Sequence, residues 1–368
     1  MAGERESGTE VTQTAEHEGW TRWAQLILLS LLLGGGLELV GLPAAMLLGP
    51  MIAAVVLALR GYTLRIPPIL FVAAQAMVGC MIAGSLGLGA LRTAAGDWPI
   101  FLLVTSLTLG ASSLLGYLLS RWQVLPGTAA IWGSAPGAAT AMVLMAQAYG
   151  ADARLVAVMT YLRVVCVALV AALFALALTG HAHSHSAGWS FAFDPVAIAG
   201  TLAVAAVGAV IGSWLRLPAG ALLGAIILGT ALNMSGRFHP APPVWLLAPC
   251  YAVIGWKIGL SFNQEAIAVA AKALPRLLLS IGLLILFSAG VGALLSRFTG
   301  IDPVTTFLAT SPGGLDSVAI VAASTPVNVP FVMAMQAVRF IAVLLIGPSL
   351  ARFVADRRTA IPHGSKSL

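Results

Sequence analysis

Continuous apolar runs, most of them about as long as a membrane-crossing helix, follow one another along almost the whole chain. Six lie in the first half, over 24–40, 42–59, 69–91, 100–119, 127–149 and 155–178. After a polar stretch, six more cover 195–215, 219–232, 244–262, 274–295, 304–324 and 329–354. Apolar residues succeed each other rather than alternating with polar ones, which excludes transmembrane strands and leaves helices. A helix needs about 20 apolar residues to cross a ~30 Å hydrocarbon core, and most of these runs suffice. Charged residues make up 9% of the 368 and hydrophobic residues 59%, whereas an ordinary soluble domain is about 25% charged. A water-soluble fold cannot hide so much apolar surface, so a soluble enzyme and a free-standing nucleic-acid binder are excluded.

The polar ends are short. Residues 1–22 form a polar N-terminal tail and 355–368 a C-terminal tail, too small for a helix-turn-helix or a zinc finger. The net charge of +6 comes from cations scattered between apolar runs, which fits membrane orientation better than nucleic acid. The start of the chain is acidic and lacks the basic region of a signal peptide, so the first run is expected to stay as a helix. Cys80, Cys166 and Cys250 lie in apolar runs without metal-ligand spacing and read as small buried hydrophobes.

The two halves are copies. Leu42–Gly49 matches Leu217–Gly224, Gly79–Ile82 matches Gly255–Ile258, and Pro99 matches Pro275. Ser134-Ala135-Pro136-Gly137 matches Thr310-Ser311-Pro312-Gly313, and Arg163 matches Arg339, all at a shift of 175 or 176 residues. The chain therefore divides into membrane repeat 1 (23–179), an outer His-rich linker (180–194) and membrane repeat 2 (195–354). Arg352, Arg357, Arg358 and Lys366 place the C-terminus in the cytoplasm, whereas the linker has no Lys or Arg and belongs outside. That asymmetry needs an odd number of crossings per half. The fold expected is all-α and polytopic, with two inverted repeats of about five crossings, each carrying one broken or re-entrant helix, and with both termini cytoplasmic.

The broken helices are expected at 127–149 and 304–324, where Pro-Gly interrupts them. Proline lacks an N–H and clashes with the preceding turn, and glycine permits positive φ. The freed peptide groups must face protein or a wet cavity, and the restarting helix presents bare N–H groups to a polar or anionic ligand. Candidate solute-binding residues are Ser134, Pro136, Gly137 and Thr140 in the first copy and Thr310, Ser311, Pro312, Gly313, Gly314 and Asp316 in the second, with Arg163 and Arg339. Asp316 is the one candidate carrier of H+ or Na+ and a partner for Arg339, while both arginines could instead snorkel to an interface. Lys257 has the same two readings, and Glu38 closes a helix. Gln75, Gln147 and Gln336 read as interhelical hydrogen-bonding groups, and Met159, Met333 and Met335 as packing. His181, His183 and His185 fix no coordination geometry, and no resident metal or other cofactor is expected.

Leu47-Leu48-Gly49-Pro50, Gly255–Gly259 and above all Ala309-Thr310-Ser311-Pro312-Gly313-Gly314 with Met335-Gln336 and Arg339 resemble the AbrB family of bacterial inner-membrane proteins, over about Leu26 to Arg352. The first copy departs from the fuller pattern, with Ala138 where the second has Gly314 and Thr140 where it has Asp316. The resemblance implies a duplicated hydrophobic module in the inner membrane. It also implies names ranging from regulator of gene expression to ammonia monooxygenase. The residues favour a secondary transporter of a small polar or anionic solute coupled to H+ or Na+. The alternatives are a membrane regulator acting indirectly on gene expression and, more weakly, a monooxygenase-like enzyme. Expected partners are the lipid bilayer and that solute, with nucleic acid excluded and a homo-oligomer left open.

Overall fold

A computed structural model describes residues 3–86, 98–122, 129–134, 151–179, 194–215, 219–262 and 271–359, with the single positions 96, 146 and 217. Among the described residues every regular element is a helix. The first half holds α1 (Gly3–Leu39), α2 (Ala45–Leu59), α3 (Pro68–Ser85), α4 (Trp98–Arg121), α5 (Ala129–Ser134) and α6 (Ala153–Thr179). The second holds α7 (Pro195–Trp214), α8 (Gly220–Met234), α9 (Val244–Gly259), α10 (Leu274–Thr299), α11 (Pro303–Thr310), α12 (Leu315–Ala323) and α13 (Val329–Thr359).

Among the described residues five stretches are long and apolar enough to cross a membrane: Trp20–Leu39 of α1, all of α4, Ala153–Leu178 of α6, all of α7 and all of α10. This corrects the expectation that most runs reach by length. Helices α2 and α8 have 15 residues each, or about 22 Å at the usual rise. The cause is local. Gly61 (φ 89°) follows the end of α2 and Gly236 (φ 67°) that of α8, each in the left-handed conformation that closes a helix. Glu38 is exposed one residue before α1 ends, as expected of a helix-closing charge.

The halves fold alike at their strained points. Ala44 (φ 58°) and Ala219 (φ 50°) immediately precede α2 and α8, and they are the non-glycine residues with positive φ among those described. A left-handed alanine costs roughly 1–2 kcal/mol, so its presence in the same joint of both copies marks a shared design. The copies also interlock: α2 packs on α1 and on α9, while α8 packs on α7 and on α3. Glycine allows the intimate crossings. A Cβ on Gly224 would lie 2.0 Å from the Gly208 carbonyl oxygen, and one on Gly49 would lie 2.3 Å from the Gly34 nitrogen.

Leu31, Leu32, Leu103, Val210, Leu279 and Leu286 point outward and are exposed, while Leu47, Leu48, Leu222, Ile254 and Leu277 are fully buried. An outer surface of this kind matches hydrocarbon rather than water. Val167, Val318, Ala319 and Val332 bring α6, α12 and α13 into one central cluster, which holds the break in the second copy.

Candidate functional site

Helix α11 opens on Asp302, whose side chain accepts the Thr305 N–H at 2.8 Å, with Pro303 at the first helical position. It ends after eight residues because Ser311 precedes Pro312 and takes an extended conformation (φ −61°, ψ 138°). The chain turns helical again at Leu315, after an extended Gly314 (φ −74°, ψ 145°). Positive φ does not explain the two glycines, contrary to expectation: among the described glycines only Gly41, Gly61, Gly236 and Gly300 have it. Gly313 is there for space. A Cβ would meet Val318 Cγ2 at 2.6 Å and Val167 Cγ1 at 3.0 Å.

The carbonyls freed by the break are taken up by α13. Arg339 donates from Nη1 to the Ser311 oxygen and from Nη2 to the Gly313 oxygen, the latter at 2.9 Å. Gln336 Nε2 donates to the Leu308 oxygen at 2.8 Å and the Ser311 oxygen at 3.2 Å. A guanidinium thus sits where the end of α11 is most negative. The first copy repeats the device. Arg163 Nη1 donates to the Ser134 oxygen at 2.8 Å and to the Gly133 oxygen at 3.4 Å, at the end of α5. Ser112 donates its hydroxyl to the same Ser134 oxygen. Arg163 and Arg339 are 3% and 5% exposed, which rules out the snorkelling alternative.

The expected Asp316–Arg339 pair is not formed. The guanidinium is turned to the backbone, and Asp316 Oδ2 instead accepts from Gln75 Nε2 of α3 at 2.9 Å. Asp316 lies in the first turn of α12 and lines a cavity of about 200 Å³. The rest of the wall comes from α3 (Phe71, Gln75), α6 (Tyr161, Val164), α9 (Lys257, Ile258) and α13 (Gln336, Arg339, Phe340). Both copies therefore contribute side chains to one space.

Of the residues singled out from the sequence, Gly313, Gly314, Asp316 and Arg339 meet at this cavity. Thr310 and Ser311 are buried behind it, and Thr310 ties α11 to α10 by donating to the Ser288 oxygen at 2.9 Å. Ser134 and Arg163 line a separate space of about 10 Å³, room for a single water. Pro136, Gly137, Thr140, Gln147, His181, His183 and His185 lie outside the described residues. Gln75 and Gln336, read from the sequence as interhelical hydrogen-bonding groups, and Lys257, read as either a cavity or an interface charge, all line the cavity. The available signal was their polarity inside apolar runs, which does not name a partner. Met159, Met333 and Met335 are buried packing residues, and the three cysteines are free thiols. Among the described residues no group of three His, Cys, Asp or Glu side chains could hold a metal ion.

Duplicated apolar helices, five among the described residues long enough to cross a bilayer, and a cavity with charged side chains beside a broken helix define a membrane-type helical protein with an internal polar cavity. The family model described as "Transition state regulatory protein AbrB" matches residues 46–355, and the chain belongs to that family. It is 46% identical to "Putative regulator AbrB" of Escherichia coli (strain K12) over 347 residues, which cover 92% of this chain and 99% of the relative. It is 27% identical to "Uncharacterized protein YhjN" of Bacillus subtilis (strain 168) over 298 residues, covering 76% and 77%. No solved structure matches.

Proposed function

We propose that the protein is a secondary transporter of a small polar solute, with the cavity at Asp316 as its binding site and Asp316 as the carrier of a coupling H+ or Na+. The observation that carries this reading is a carboxyl side chain facing a cavity built by both copies of a duplicated helical module. Ionisable groups in such surroundings are costly and mark solute or ion pathways. In this reading the chain is a multi-pass protein of the bacterial inner membrane, its halves are inserted with opposite polarity, and both termini are cytoplasmic. Arg339 and Gln336 hold the break open by occupying its carbonyls, so that the start of α12, with Asp316, stays turned to the cavity. Helices α1–α3 and α7–α9 pack mainly on one another, as do α4–α6 with α10–α13, and the cavity lies between these two groups, whose rocking would open it to each side in turn.

The test is solute uptake into proteoliposomes under an imposed pH or sodium gradient. Uptake by the unaltered protein and its loss in Asp316→Asn support the proposal; no flux for any solute of a broad panel sinks it. The words "regulatory" and "regulator" in the matched names favour a second reading, a membrane regulator that affects gene expression through a partner. Absent flux together with a co-purifying signalling protein would select that reading.

A further inference from the structure

We propose that the solute is a small zwitterion of the amino-acid type, held by its carboxylate at Lys257 and by its ammonium at Asp316; this rests on the transport reading above, with the ammonium and the coupling ion occupying Asp316 in turn. Lys257 and Asp316 line the same cavity from α9 and α12 and form no ion pair with one another. The Lys257 ammonium lies 5.9 Å over the ring of Phe71. Asp316 engages Gln75 through Oδ2 alone, which leaves Oδ1 for another donor. Two opposite charges facing one poorly polarisable space without touching are costly, and a ligand that bridges them removes that cost.

The other cation at the wall does not compete for the role. Arg339 has both terminal nitrogens committed to the backbone of the break. Its Nε and the Gln336 Oε1 are buried beyond reach of a water-sized probe, so neither offers the cavity a donor or an acceptor. Charge arithmetic favours a zwitterion. A zwitterion leaves the Lys257–Asp316 pair balanced, whereas a monoanion or a monocation leaves a net charge in the cavity. Phe71, Tyr161, Val164, Ile258 and Phe340 supply an apolar wall for a side chain. A space of about 200 Å³ takes a single amino acid.

The experiment uses the detergent-purified full chain and reads binding by calorimetry and by the melting midpoint. Alanine, leucine and phenylalanine are titrated first. The tightest binder is then compared with its methyl ester, which lacks the carboxylate, and its N-acetyl derivative, which lacks the ammonium. The expected result is binding of at least one amino acid, with each blocked form weaker by about tenfold or more. Lys257→Met should bind the ester and the free amino acid alike, and Asp316→Asn should do the same for the N-acetyl form. Lys257→Arg should keep the preference for the free amino acid, and ligand-free melting of each variant separates lost binding from lost folding. The proposal is overturned if none of the three amino acids binds. It is equally overturned if the N-acetyl form or the ester binds the unaltered protein as tightly as the free amino acid. Those outcomes leave the transport reading standing, because that reading falls only with the proteoliposome flux.

Discussion

The two arginine-held helix ends are built alike and lead to different spaces. At α5, Arg163 takes the Gly133 and Ser134 carbonyls and closes against Ser112 and Met159, with room for about one water in 10 Å³. At α11, Arg339 takes the Ser311 and Gly313 carbonyls, and beyond it lies a cavity of about 200 Å³ bearing Asp316 and Lys257. The shared arginine therefore belongs to the architecture of the break, and the chemistry belongs to what surrounds it. Duplication supplied the backbone device twice, and divergence put an acid beside only one copy: Thr140 stands where Asp316 stands in the other.

The largest effect should come from the arginines. Replacing Arg339 by Met leaves two buried carbonyls of the break without a charged donor, at about 2–5 kcal/mol, and should lower the melting midpoint in detergent sharply. Arg163→Met should destabilise comparably. In the variant that still folds at low temperature, however, solute binding at the Asp316 cavity should be preserved. Equal loss of solute binding from the two substitutions would break the comparison. Next comes Gly313→Ala, whose added methyl would sit 2.6 Å from Val318 Cγ2 and should cost about 1–3 kcal/mol. Gly314→Ala meets nothing closer than Ser317 Oγ at 3.3 Å and should cost clearly less in the same melting assay. A smaller effect is expected from Gln75→Leu, which removes the donor on Asp316: about 1 kcal/mol in stability, with uptake reduced more than stability. Smallest is Ser112→Ala, which takes one donor from the Ser134 carbonyl but leaves Arg163 in place. Its cost should stay below about 1 kcal/mol, and uptake should be unchanged.

Much of the frame was legible in the sequence because it rests on local signals. Apolar runs place the helices, Ser311 before Pro312 ends α11, and the repeat offset pairs Arg163 with Arg339. Three features were not legible. The alternative between snorkelling and buried arginines turned on whether carbonyls lay within reach, and those are offered 26 to 30 residues away by a helix packed alongside. The need for glycine at 313 lies in Val167 and Val318, not in a dihedral angle. The partner of Asp316 sits 241 residues away, in the other copy.

The order of apolar and polar residues, read alone, established an all-helical chain in two copies, with a helix that Pro312-Gly313 must interrupt. Proline sterics and hydrophobic continuity act between near neighbours, and so are written where they act. Which charge meets which partner was decided only by the packing. Arg339 could turn to Asp316 or to the backbone, and the choice follows from where α13 sets its guanidinium against the end of α11. That placement depends on interlocked helices far apart in the chain, and no stretch of sequence contains it.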